Sequence, residues 1–98
     1  MEFEWDDEKN RLNKAKHGIR FETATVVFDD PYELTELDQV VDGEERWKTL
    51  GMADIWSVLV VIHVERDRDN GLVTRIISAR GANKDERKRY ERHRGENR

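Results

Sequence analysis

Trp56-Ser57-Val58-Leu59-Val60-Val61-Ile62-His63-Val64-Glu65, then Arg66-Asp67-Arg68-Asp69-Asn70-Gly71, then Leu72-Val73-Thr74-Arg75-Ile76-Ile77-Ser78-Ala79-Arg80, is the stretch that decides the fold. From Trp56 to Glu65 the residues are nearly all aliphatic and β-branched, the pattern of a central strand covered on both faces. A polar run closing on Asn70-Gly71 signals a hairpin, and strand character returns from Leu72 to Arg80. The turn leaves two registers open. With Asn70-Gly71 as a two-residue turn, Glu65 faces Ile76, His63 faces Ser78 and Val61 faces Arg80. His63, Glu65, Ser78 and Arg80 then share one sheet face, and Arg66 and Arg75 share the other. A three-residue loop instead sets Glu65 opposite Arg75 and brings Arg66 to the face of Arg80.

Upstream of this hairpin, Arg46 to Ala53 alternates and reads as a strand. Tyr32 to Leu37 reads as a weak acidic edge strand, and Asp38 to Glu45 as a loop turning at Asp42-Gly43. Before Pro31 the period is helical. Asp6 caps a helix over Asp7 to His17, with Asp7 and Glu8 at its positive end and Gly18 as its left-handed stop. A second helix over Phe21 to Phe28 sets Phe21, Ala24 and Phe28 in one stripe. Phe3-Glu4-Trp5 is a short strand or an anchoring arm. Downstream, Asn83 caps a helix from Lys84 to about Arg94, with Glu86 reaching back as in a capping box. Tyr90 is its one large apolar group, so loose docking is expected. These elements make an α+β fold: two N-terminal helices, a four-stranded mostly antiparallel sheet and a C-terminal helix.

At 98 residues the chain is expected to form one domain, residues 1–98. Only 36% of it is hydrophobic and 41% is charged, so the core depends on the apolar strand at 56–64. No run approaches the roughly 18 apolar residues of a membrane span, and Met1-Glu2-Phe3-Glu4 does not open a signal peptide. With no cysteine, the expected compartment is the cytoplasm. Charge is polarised along the chain. Glu22 to Glu45 holds nine acidic residues and no Lys or Arg, whereas Arg75 onward holds nine Lys and Arg against four acids. A polyanionic partner suits the basic end, and a basic partner segment suits the acidic middle.

Phosphate loops, dinucleotide fingerprints and Gly-x-Ser-x-Gly elbows are all missing, and His17, His63 and His93 lack metal-ligand spacing. No metal site or cofactor is expected. Arginine remains, with a few proton carriers. Cutting RNA without a metal needs a group that helps the 2′-hydroxyl attack phosphorus, cations for the transition state, and protonation or stabilisation of the leaving 5′-oxygen. Arg66, Arg75, Arg80, Arg87 and Arg89 suit the cationic task, because a guanidinium pairs with phosphate oxygens and stays charged. Glu65, His63, His17 and Tyr90 are the proton-carrying candidates. Each has a structural reading too: His63 as a core residue, His17 as a helix-end cation, Glu65 with Arg66 as a surface ion pair, Tyr90 as an anchor. Arg80, at the end of a core strand, is the strongest candidate.

Phe3-Glu4-Trp5-Asp6, Asn13, Lys16-His17-Gly18, Phe21-Glu22 and Val27-Phe28-Asp29-Asp30-Pro31 together resemble the opening of the BrnT toxin family. The resemblance continues through Gly43-Glu44-Glu45-Arg46, Gly51, Leu59-Val60-Val61, Glu65-Arg66, Arg75-Ile76-Ile77-Ser78-Ala79-Arg80, Glu86-Arg87 and Tyr90-Glu91. It implies a RelE-like fold and a ribonuclease that arrests translation. It also implies a BrnA-like ribbon-helix-helix antitoxin partner, a heterotetramer with it, and operator DNA bound only through that antitoxin. Carried over by position, the catalytic set is Arg80, Arg66, Glu65, His17 and Tyr90. Lys16 joins Arg75, Arg87 and Arg89 as RNA-binding residues. Two departures stand out: Gly81 occupies a position usually basic in the family, and His63-Val64 precede Glu65-Arg66 where a Thr is common. Loss of a cation beside Arg80 leaves an alternative, a catalytically weak homologue acting as an antitoxin-binding co-repressor.

Overall fold

Helix ends and turns form where side-chain chemistry supplies the missing hydrogen bonds. The computed structural model describes all 98 residues. Its elements are β1 (Phe3–Glu4), α1 (Asp7–His17), α2 (Phe21–Ala24), β2 (Leu34–Val41), β3 (Glu44–Met52), β4 (Val58–Arg68), β5 (Gly71–Gly81) and α3 (Lys84–Glu96), with a 3₁₀ turn over Thr25–Asp29 after α2. Asp6 accepts from the Lys9 N–H at the start of α1, and Gly18 ends that helix at φ 75°. Asn83 and Glu86 form a full capping box on α3. Asp42-Gly43 turns the β2–β3 hairpin with positive φ at both residues, as a primed two-residue turn requires.

The sheet has five strands, in the order β1-β5-β4-β3-β2. The fifth is β1, which pairs in parallel with β5 through Phe3–Thr74 and Glu4–Arg75. At two residues it is too short to show a period, which is why four strands were expected. Both hairpins run longer than the sequence suggested. The expected loop at Asp38–Glu45 narrows to its two turn residues, and Trp56, expected to open β4, lies exposed in the turn before it.

One face of the sheet carries α2 and the 3₁₀ turn. Phe21, Ala24 and Val27 are fully buried against Leu59, Val61, Ile76 and Ala79. The expected stripe was Phe21, Ala24 and Phe28. Tightening to three residues per turn brings Val27 into line and moves Phe28 onto the His63 ring, 5.0 Å away edge-on. Gly51 on β3 admits this close approach, since a Cβ there would stand 2.7 Å from Val27 Cγ1. Opposite, α3 docks through Tyr90, buried with Leu50, Val58 and Val60. The loose docking expected of α3 gives way to anchorage. Burying that ring contributes roughly 1.5–3 kcal/mol, and polar ties described below hold the helix on either side. No helix is long and apolar enough to cross a membrane.

Candidate functional site

The hairpin takes neither expected register along its whole length. Asp69 and Asn70 form the turn, so Arg68 pairs with Gly71, Glu65 with Thr74 and Val64 with Arg75. Gly71 alone takes positive φ, at 112°. Between Ile76, paired with His63, and Ser78, paired with Ile62, β5 holds one extra residue, Ile77. Beyond this bulge Val61 pairs with Ala79 and Val60 with Arg80. The extra residue flips the alternation. His63 and Glu65 therefore belong to the α2 face, and Arg66, Arg75, Ser78 and Arg80 to the α3 face.

The bulge also shapes a groove. Past β1, the outer edge of β5 is met by α1, whose buried Asn13 donates to the Ala79 carbonyl at 2.8 Å and accepts from the Ala79 N–H at 3.1 Å. The same amide donates to the Ile19 carbonyl at 2.8 Å. Around this join Lys9, Lys16 and His17 of α1 line a groove with Ile77 and Ser78. Arg80 stands two strand positions beyond Ser78 on one face, about 6–7 Å along the backbone.

Arg80 is held rather than free. Its Nη1 and Nη2 donate to the two Glu86 carboxylate oxygens at 2.7 and 2.9 Å, and Nη1 also reaches the Gly81 carbonyl at 3.3 Å. Nε and one Nη2 hydrogen remain unengaged, which is a second, side-on fork. The hydrogen bonds from Arg80, with the Asn83 N–H and Lys48 adding to them, outweigh burial and hold the Glu86 carboxyl at about 2. Lys48 on β3 lies 3.8 Å from Glu86 and 3.5 Å from Glu36, and Arg89 of α3 donates to Glu36 at 2.5 Å. Charges of alternating sign thus tie α3 to three strands.

Tyr90 is buried, and its hydroxyl donates to Asp30, which also accepts from the N–H groups of Met52 and Tyr32. Burial, then the Asp30 carboxylate, raises the Tyr90 pKa. Burial pushes Asp30 up, but those three hydrogen bonds outweigh it and leave its pKa below the ordinary value. Arg87 donates to the Trp56 carbonyl at 3.1 Å and sits 3.4 Å from Glu91.

The remaining candidates sit at the far end of the hairpin. Arg66 pairs with Glu44, while Arg75 and Arg68 share Glu4. Arg66 and Arg80 share a face, yet Arg80 lies opposite Val60, six positions from Arg66. At about 3.3 Å per residue that is some 20 Å, too far for one phosphate. On the α2 face Glu65 accepts from Thr74 Oγ1 at 3.0 and 3.1 Å and meets His63 Nδ1 at 3.3 Å. His63 Nε2 lies 2.8 Å from Thr49 Oγ1, itself 2.7 Å from Thr35 Oγ1. A polar chain thus crosses four strands, and burial lowers the His63 pKa despite the Glu65 charge.

Of the sequence candidates, the structure brings His17 and Lys16 to Ser78, two strand positions before Arg80, and leaves Glu65, Arg66 and Tyr90 elsewhere. Sequence reading passed over Asn13 and Lys48 as site-shaping residues, and saw Glu86 only as a cap. Glu86 carried a signal that went unused: a capping-box carboxylate six residues after a strand-end arginine can serve both.

A family model described as the ribonuclease toxin BrnT of type II toxin–antitoxin systems matches residues 5–86. The chain belongs to the BrnT family. A 1.1 Å crystal structure of the ribonuclease toxin BrnT from Brucella abortus aligns at TM-score 0.60 and 21% identity, covering 86% of this chain and 99% of that one. At that identity the likeness is one of fold. No curated protein sequence matches the chain. As a BrnT-family member it is a ribonuclease toxin of a type II system, and such a system implies an antitoxin partner.

Proposed function

We propose that the chain, as one domain over residues 1–98, cuts RNA in the groove between α1 and the bulge of β5 without a metal ion. Lys16, His17 and Ser78 line that groove, and an Arg80 held by Glu86 follows two strand positions beyond Ser78 on the same face; this arrangement supports the reading. His17, exposed at the end of α1, takes the proton of the attacking 2′-hydroxyl. The 2′-oxygen bonds to phosphorus as the bond to the 5′-oxygen breaks, leaving a cyclic phosphate. The departing 5′-oxygen takes its proton from the Lys16 ammonium. Arg80 meets the phosphate through its side-on fork while Glu86 holds the other edge. Arg75 and Arg66 extend a cationic track along the same sheet face, with Arg89 and Arg87 on α3. Glu65 and Tyr90 act in this reading as supports of the sheet and of α3.

In the cell the consequence would be arrested translation in the cytoplasm. Neutralisation falls to a BrnA-like ribbon-helix-helix antitoxin in a heterotetramer that alone reaches operator DNA. Purified chain cleaving RNA in the presence of EDTA, and growth arrest on induction without antitoxin, are the expected results. Intact RNA and normal growth at verified soluble expression would refute it. That outcome is the one the co-repressor reading expects. One observation favours this second reading: Arg66, Arg75, Arg80 and Arg89 each already face a carboxylate, which reduces the charge offered to RNA.

A further inference from the structure

Leu37 and Val40 on β2 are three residues apart and would ordinarily point to opposite faces of a strand. They do not, because Asp38 is an extra residue: Leu37 pairs with Trp47 and Gln39 with Arg46, so Val40 pairs with Glu45. Trp47 and Glu45 are two apart on β3, so the bulge turns Val40 to the side of Leu37 and Trp47. Leu37 is 51% exposed and Val40 56%, and neither they nor Trp47 packs against either core cluster. These side chains lie at the outer end of the α2 face, beyond the cover of α2. Beside them β2 is the terminal strand of the sheet, with one backbone edge unpaired over eight residues. Bulges and charges on edge strands ordinarily discourage pairing. Here the bulge instead gathers two apolar residues on one side.

Charge selects the occupant. The chain from Glu22 to Glu45 carries nine acids and no Lys or Arg, and Glu45 stands on the same face as the apolar residues. RNA is repelled by that surface. A second copy of the chain meeting edge to edge would set acid against acid. A cationic segment with alternating apolar residues fits both the edge and the patch. Resting on the reading of this chain as one half of a type II pair, we infer that a basic, extended segment of the antitoxin adds to the free edge of β2. It seats its apolar side chains on Leu37, Val40 and Trp47. RNA and antitoxin would then bind opposite faces of the sheet.

The test uses the full chain, the purified antitoxin encoded beside its gene, and the variants Leu37→Lys/Val40→Lys and Glu45→Lys. Both alter exposed side chains, and circular dichroism with thermal melting checks the fold. Calorimetry is expected to show at least a tenfold weakening for the double variant and a several-fold weakening for Glu45→Lys. Wild-type affinity is expected to fall as salt rises. The double variant should remain as toxic as wild type but escape neutralisation. Wild-type affinity in a folded double variant, or a complex insensitive to salt, would overturn the assignment. So would light scattering showing that the edge is occupied by a second copy of the chain. If the chain proves non-toxic yet the double variant still loses the antitoxin, the ribonuclease reading fails and the docking surface stands.

Discussion

Asn13 on α1 and Ala79 on β5 are joined by two hydrogen bonds, amide to carbonyl at 2.8 Å and backbone N–H to amide oxygen at 3.1 Å. The side chain thus completes the sheet edge where β1 has ended. Removing it leaves the buried N–H and C=O of Ala79 and the Ile19 carbonyl without partners. Asn13→Ala is expected to cost about 2–4 kcal/mol in urea unfolding, more than an ordinary surface change. A loss below about 0.5 kcal/mol would show that water replaces the amide.

The Arg80–Glu86 fork makes a pH-dependent contribution. The Glu86 carboxyl is held at about 2 against an ordinary 4.5, so its stabilisation is complete above pH 4.5 and is lost as the pH falls through 2. At neutral pH Glu86→Gln should be less stable than wild type by about 1–3 kcal/mol. The gap should close toward the acid end of that window. A gap that is constant with pH would contradict the pairing.

His63 has the opposite charge type but the same direction of effect. Its ring is buried beside Phe28 and between Thr49 and Glu65, and burial lowers its pKa below 6.5. Because the unfolded chain takes up the proton first, stability is full above pH 6.5 and falls as the pH drops toward the lower folded value. This slope should be missing in His63→Gln. A ring titration by proton NMR with its midpoint at or above 6.5 would rule the burial argument out.

His17 offers the sharpest test of the proposed cleavage. Its side chain is exposed, so His17→Asn should leave the melting temperature within about 1–2 °C of wild type while slowing cleavage by about 100- to 10,000-fold. Arg80→Lys keeps the charge but loses the fork, and should retain RNA binding better than cleavage. Full cleavage by His17→Asn would move the general base elsewhere.

Much of this protein was readable along the chain because its determinants are local. Asp6 and Gly18 bound α1, Asn83 with Glu86 starts α3, Asp42-Gly43 turns β2 into β3, and the run of valines makes β4 central. Each depends on residues within a few positions, or on a period that repeats. The cationic residues and the order of family motifs were legible for the same reason. What the tertiary structure alone decided is which of them meet. The extra residue at Ile77 reverses the face of every side chain beyond it, and no local preference distinguishes Ile77 as the bulged position. Two-residue β1 has no period to read, and Asn13 reaches Ala79 across 66 positions. The partners of the arginines were likewise set by distance in space: Glu44 for Arg66, Glu4 for Arg75, Glu86 for Arg80. A side chain's type is written in the sequence, but its direction and its counter-charge follow from pairing between segments, and one inserted residue is enough to change both.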